Sequence, residues 1–167
     1  IDKDINILVI ENSKKFENEK SFIKKYKNLK IFCTGSNLGY AKGNNYGLKK
    51  ITTKYALILN PDTICQKNFF KNINETIKNV KDFHIIGCQY SEKFLDKQAG
   101  FFYDNSSIRF NNLTKVDWVK GFSLLVNIKK FKNKKIFDEK YFLFFEEIDL
   151  CKSIKKKFVN VYFSKIL

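Results

Sequence analysis

The sequence predicts an α/β domain with a mostly parallel sheet flanked by helices. Two observations predict it. Short apolar runs recur through the first half of the chain, at INILVI (5–10), KIFCT (30–34), YALILN (55–60) and HIIGCQY (84–90). Each has the length and composition of a buried strand. The segments between them carry apolar residues at helical spacing, and strands that alternate with helices argue for a parallel sheet joined by crossovers.

Taken in order, the first connection, KKFENEKSFIKKYK (14–27), sets Phe16, Phe22, Ile23 and Tyr26 among charges, as an amphipathic helix does. GYAKGNNYGLKKI (39–51) starts a helix after a glycine turn, with Leu48 and Ile51 three apart. KNFFKNINETIKNV (67–80) spaces Phe70, Ile73, Ile77 and Val80 for one helix face. Residues 91–115 are polar and irregular, with GFFYD and SIRF as short strands. WVKGFSLLVNI (118–128) is one more strand, and VNVYF (159–163) is the last. EEIDLCKSIKKKF (146–158) is a helix with acids first and lysines last, the order that the helix dipole favours. No repeat, linker or boundary divides the chain, so 1–167 is expected to be a single domain.

Composition narrows the function. The net charge is +15, carried almost wholly by lysine, with Arg109 the single arginine. Such a surface attracts nucleic acid or anionic lipid non-specifically. Base reading favours arginine, which argues against a specific nucleic-acid face. The four cysteines, Cys33, Cys65, Cys88 and Cys151, form no C-x-x-C pair, so neither a zinc knuckle nor a redox motif is expected. His84 is the only histidine and cannot build a multi-histidine metal site. The sequence contains no methionine, so it is expected to be a segment of a longer protein.

Open parallel sheets bind ligands beyond the carboxyl ends of their strands. Three such ends carry polar residues. The first strand ends in Glu11, Asn12 and Ser13, the second runs into TGSNLGYAKGNNYG, and the third ends in NPDT with Asp62. Asp62 follows Pro61, the only proline. A carboxylate there can hold a hard divalent cation and, through it, a diphosphate; it can equally form an Asx-turn or cap the next helix. Gly35, Gly39, Gly43 and Gly47 recur every fourth residue, which matches neither a P-loop nor a dinucleotide fingerprint. They allow either close approach of a ligand at a helix start or close packing of helix on sheet. In FLFFEEIDL (142–150) an aromatic run delivers Glu146 and Glu147 to a helix start. Adjacent helical side chains point about 100° apart, so one glutamate can face a cleft as a general base. The other reading is an acidic first turn that stabilises the helix.

Taken together and in this order, NLGYAKGNNYGL, LILNPDT and WVKGFSLLVNIKKFKNKKIFDEKYFLFFEEIDLCKSI resemble glycosyltransferase family 2, and within it the rhamnosyltransferase-like branch. The resemblance covers roughly residues 5 to 163. It implies a GT-A fold, a Rossmann-like nucleotide-diphospho-sugar transferase architecture, and inverting transfer of a sugar. The donor implied is dTDP-rhamnose or a UDP-sugar, and the acceptor a glycan or lipid-linked glycan of a bacterial surface polysaccharide. Asp62 matches the acid that holds Mg2+ or Mn2+ on the donor diphosphate, with Asn60 in place of the first acid of that motif. Glu11 stands where the family contacts the base or ribose, with Asn12 and Ser13 beside it. Asn37, Gly39, Gly43 and Asn45 fall in the segment that lines the nucleotide, and Gly121 near the sugar and diphosphate. Glu146 and Glu147 stand at the catalytic E-D pair, with Glu147 in place of the aspartate.

The family's first strand should precede INILVI, and its metal-binding histidine should follow the last strand; neither is in the sequence, so truncation at both ends is expected. The resemblance also implies a cytoplasmic location, with peripheral contact of the inner membrane face through lysines and KKFKNKKIF (129–137) as the contacting stretch. Two readings compete: a non-catalytic basic α/β module that binds nucleic acid or anionic membrane, and an inactive transferase fragment.

Overall fold

In a computed structural model of the chain, residues 5–80, 82–88, 109–110, 113–155 and 161–164 are described. They divide into two compact units, one of residues 1–52 and 133–146, the other of 53–132 and 147–167.

In the first unit, strands β1 (Ile7–Glu11) and β2 (Leu29–Cys33) pair in parallel, with Ile7 opposite Leu29 and Glu11 opposite Cys33. A parallel pair needs a crossover, supplied here by helix α1 (Glu19–Lys25). It is shorter than its pattern predicts and buries no residue. Helix α2 (Gly39–Lys50) packs on β1. Its glycines lie one helical turn apart, hence on one face. A Cβ on Gly47 would lie 2.7 Å from Ile10 Cγ1, so only glycine lets the helix lie this close to the strand. Ala41 and Leu48 complete the buried face.

In the second unit, strands β3 (Tyr55–Leu59), β4 (Ile85–Cys88), β5 (Arg109–Phe110), β6 (Leu113–Lys115), β7 (Ser123–Asn127) and β8 (Val161–Ser164) form one sheet in the order β3-β7-β4-β8-β6-β5. β3 and β4 each pair antiparallel with β7, and β4 pairs parallel with β8. So β3, β4 and β8 run the same way, as the alternating pattern predicts, while β7 is inserted against them. The α/β class stands, but the expected mostly parallel pairing does not: of the six pairings among the described strands, only β1–β2 and β4–β8 are parallel. Apolar content marks a strand as buried and leaves its direction open.

Helix α3 (Phe69–Asn79) turns Phe69 and Ile73 into a core with Phe83, Ile86, Cys88 and Leu125. Tyr55 stacks on Phe83 at 5.5 Å. All five residues of β7 are buried, as a central strand requires. The expected strand over 118–128 starts only at Ser123, because Gly121 and Phe122 form a turn. Helix α4 (Glu146–Lys155) buries Leu150, Cys151 and Ile154. GFFYD lies outside the described residues, and SIRF contributes β5. His84 sits just before β4 with its ring edge-on to Phe131 at 5.5 Å.

The KKFKNKKIF stretch is only in part the surface that its sequence predicts: Lys129, Lys132 and Lys135 are exposed, whereas its apolar end is not. Ile136 and Phe137 are buried. Lys130 pairs with Asp82, and Lys134 donates to the Ile51 carbonyl. Exposed bulky apolar residues occur at Phe22, Ile23, Leu59 and Ile64, and as a continuous run at Phe142, Leu143, Phe144 and Phe145.

Candidate active site

At the end of β1 the chain turns through three polar residues with different tasks. The Glu11 carboxylate has no hydrogen bond or ion pair among the described residues. Ser13 closes a local turn, its hydroxyl donating to the Lys15 carbonyl at 3.0 Å. Asn12 organises the loop that follows β2. Its Nδ2 donates to Asn37 Oδ1 at 3.0 Å and to the Gly39 carbonyl at 3.1 Å, and its Oδ1 accepts from Leu38 N at 2.8 Å. Asn37 Oδ1 also accepts from Gly39 N at 2.9 Å, an Asx-turn that satisfies a donor at the start of α2.

Gly39 is needed twice over. Its φ is +75°, a region that favours glycine. A Cβ there would also lie 2.2 Å from the Phe142 carbonyl oxygen, which accepts from Tyr40 N at 2.7 Å. Gly39→Ala is expected to cost about 1–3 kcal/mol in unfolding free energy. Gly43→Ala is expected to cost far less, because its Cβ would meet Asn12 Nδ2 at an ordinary 3.5 Å. Urea titration of both variants checks the difference; equal losses would refute it.

Asn45 departs from its expected role. It is fully buried. Its Nδ2 donates to the Phe137 carbonyl at 2.9 Å and to Glu139 Oε1 at 3.1 Å, and its Oδ1 accepts from Ile136 N and Phe137 N, each at 3.1 Å. A buried amide with its groups so engaged has no face left for a nucleotide. Asn45 instead fastens residues 136–139 to α2. The sequence offered no sign of this partner.

In the second unit, β3 ends in a tight turn. Asn60 N donates to the Phe122 carbonyl at 2.9 Å, which sets the end of β3 beside the Gly121–Phe122 turn. The Asn60 carbonyl accepts from Thr63 N at 3.2 Å and Thr63 Oγ1 at 2.7 Å. Asp62 lies inside this turn, exposed, and its carboxylate has no hydrogen bond or ion pair among the described residues. It neither forms an Asx-turn nor caps α3, whose N-cap is Asn68.

Glu146 opens α4 and is buried. Glu147 is half-buried; its Oε2 is sealed from solvent with no hydrogen-bond partner among the described residues. Phe144 and Phe145 precede this pair with φ of 69° and 68°. Two bulky residues in the left-handed region cost roughly 1–3 kcal/mol each.

No group of three or more His, Cys, Asp or Glu suited to a metal occurs among the described residues. Asp62 is therefore the one predicted metal ligand to weigh. An exposed, unengaged carboxylate fits Mg2+ or Mn2+, which bind through one or two protein carboxylates while substrate phosphates and water complete the shell.

Two thiols are sealed. Burial pushes Cys88 up to about 11, against the hydrogen bond from Ser123 Oγ at 2.9 Å. Burial pushes Cys151 up to about 12, and the Glu147 carboxylate adds to it. The thiolate is the nucleophile, so iodoacetamide at pH 8 is expected to spare both in the folded protein. Mass spectrometry would locate label only on Cys33 and Cys65, which are half-buried; rapid labelling of Cys88 or Cys151 would contradict this.

The sequence matches the description "Glycosyl transferase family 2" over residues 1–163. The chain belongs to this family. Within curated proteins it is 25% identical over 144 residues to the low-salt glycan biosynthesis hexosyltransferase Agl10 of Haloferax volcanii, covering 77% of this chain and 47% of that protein. Among solved structures it is similar to S. aureus TarS 1–349, with a TM-score of 0.62 and 14% identity, over 99% of this chain and 52% of that one. The same TarS segment in complex with UDP gives 0.61 and 14%, over 96% and 51%. The chain thus spans about half the length of these relatives. No helix among the described residues is long and apolar enough to cross a membrane.

Proposed function

We propose that the protein transfers a sugar from a nucleotide-diphospho-sugar to a hydroxyl of a glycan or lipid-linked glycan, with inversion at the anomeric carbon. One observation carries this: in a family 2 chain, Asp62 and Glu147 belong to the same unit, and each has a carboxylate oxygen without a protein partner. For Glu147, whose Oε2 is sealed from solvent, the missing partner costs stability, and function is a reason to keep it so; the exposed Asp62 carboxylate stays open to a ligand.

Asp62 would hold Mg2+ or Mn2+, which when bound neutralises charge on the departing diphosphate. Glu147 takes the proton of the acceptor hydroxyl. The acceptor oxygen bonds to the anomeric carbon, the carbon–phosphate-oxygen bond breaks, and its electron pair leaves with the nucleoside diphosphate. The Gly121 turn, to which Asn60 is tied, supplies close backbone approach for the sugar and diphosphate. Glu11 contacts base or ribose; Asn12, Asn37 and Gly39 shape the loop beside it, and Ser13 holds the turn between them.

For the donor, we favour a UDP- or dTDP-sugar. UDP is bound by a TarS structure of similar fold, and dTDP-rhamnose rests on the sequence motifs of the rhamnosyltransferase-like branch. The product is a surface polysaccharide or related glycan. The net charge of +15 supports peripheral contact with an anionic inner membrane face, through exposed Lys129, Lys132 and Lys135.

The test is thermal stability with UDP, dTDP and GDP, with and without Mn2+. The matching nucleotide at a hundred times its Kd is expected to add about 2.7 kcal/mol, a rise in Tm of roughly 5–10 °C for a domain of this size. The rise should need Mn2+ and vanish in Asp62→Asn. A metal-independent rise that survives the substitution would remove Asp62 from the metal site. A folded sample that responds to none of the nucleotides would count against donor binding.

A further inference from the structure

Helix α1 has the sequence of an amphipathic helix without the burial that such a helix ordinarily gains. It buries no residue. Phe22 and Ile23, adjacent at its centre, are 41% and 43% exposed. The aromatic side chains around them are nonetheless ordered. The Phe22 ring lies edge-on to Phe16 at 5.4 Å and tilted to Tyr26 at 6.3 Å, and Lys25 Nζ sits 5.3 Å from the centre of the Tyr26 ring. An organised aromatic cluster thus stands at the surface of the first unit, with Phe22 and Ile23 as its exposed part.

Charge says what this surface meets. Residues 14–27 hold six lysines, Lys14, Lys15, Lys20, Lys24, Lys25 and Lys27, all of them exposed, against Glu17 and Glu19. No ion pair among the described residues engages any of these lysines. Lysines set around an exposed apolar pair are the complement of an anionic bilayer. Their ammonium groups meet lipid phosphates, while their stems and the apolar pair reach the acyl boundary. A nucleic acid offers phosphates but no apolar boundary to receive Ile23. A second copy of the chain would bring a like-charged surface to this one.

We propose that α1 is a membrane-docking element: Phe22 and Ile23 insert between the headgroups of an anionic bilayer, and the lysines of 14–27 hold its phosphates. This docking does not depend on the transferase reading. It also differs in kind from contact through Lys129, Lys132 and Lys135. The stretch 129–137 has no exposed bulky apolar side chain, so α1 supplies insertion where that stretch supplies charge alone.

Co-sedimentation of the whole chain with vesicles tests this, using phosphatidylcholine alone and phosphatidylcholine mixed with phosphatidylglycerol, at about 0.1 M salt. Binding is expected only with the mixture. Lys20→Gln combined with Lys24→Gln should weaken it about 25-fold, at roughly fivefold per lysine. Phe22→Gln combined with Ile23→Gln leaves every charge in place and should weaken it at least about fivefold. Phe22→Leu combined with Ile23→Leu should bind as the wild type does. All three variants should melt cooperatively, since α1 buries no residue and the new side chains suit a helix. UDP- or dTDP-induced stabilisation should be the same in every form. Absence of binding to the mixed vesicles overturns the docking. So does binding that both glutamine variants of α1 retain, or that only Lys129→Gln with Lys132→Gln and Lys135→Gln removes. Glutamine variants of α1 that keep vesicle binding but lose self-association or binding to a single-stranded oligonucleotide would assign the surface to that partner instead. Vesicle binding through α1 without any nucleotide binding would support the docking and count only against the donor assignment.

Discussion

Glu147→Gln is expected to lower kcat about 10²–10⁴-fold, the usual worth of a positioned general base, while the protein stays at least as stable. Glutamine is nearly isosteric but cannot take a proton from the acceptor. The stability side of the prediction comes from the sealed Oε2 atom, which has no partner among the described residues. Removing a charge from such a position relieves a desolvation cost. A purely structural glutamate, the acidic first turn that the sequence equally allows, would show the reverse: a lower Tm and near-normal kcat. Steady-state kinetics with the donor at saturation, beside a melting curve, separates the two. Full kcat in the variant removes Glu147 from the base position. Glu146 is buried at the start of the same helix, so Glu146→Gln should act chiefly on stability.

Asn45→Ala should be among the most destabilising single changes, at about 3–5 kcal/mol. It deletes four hydrogen bonds at once. It also strands the N–H groups of Ile136 and Phe137, both buried residues, and each buried unsatisfied donor costs about 1–3 kcal/mol. Asn45→Asp keeps the acceptor for those two N–H groups but loses the donors and brings a second charge to Glu139, so it should fall between wild type and alanine. The neighbouring Asn44 makes one hydrogen bond, to the Tyr40 carbonyl at 3.0 Å, and Asn44→Ala should cost only about 1 kcal/mol. Denaturant unfolding of the three variants gives the order. If Asn45→Ala is as stable as Asn44→Ala while nucleotide binding is lost, Asn45 is a ligand residue after all.

Asn45 shows where sequence reading stops. In NLGYAKGNNYGL it stands in the segment that resembles a nucleotide lining, and nothing local distinguishes it from Asn37 or Asn44. Its partners lie 91 and 92 positions away, and only the folded chain brings them together. The glycines of the same helix were legible in part. Their four-residue spacing says that they share a face, while the reasons differ: Gly47 makes room for Ile10, and Gly39 for the Phe142 carbonyl. The basic stretch 129–137 was legible in part: Lys129, Lys132 and Lys135 are exposed as their charge suggests, while Phe137 is core and Lys130 and Lys134 are engaged.

The α/β class, the ends of β1, β2 and β3, and membership of the family were all determined by local features. Apolar runs stop where a strand stops, Pro61 closes β3, and three motifs in fixed order specify the family. Strand direction, the insertion of β7 between β3 and β4, the burial of Asn45 and the exposure of Phe142–Phe145 were decided by the tertiary structure. The physical reason is that hydrophobicity along a chain records what a residue tolerates, whereas burial and pairing depend on which distant residues arrive beside it. A run such as FLFF is equally at home in a core or on an exposed surface, and here a carbonyl clasped at Tyr40 and two left-handed phenylalanines accompany the second.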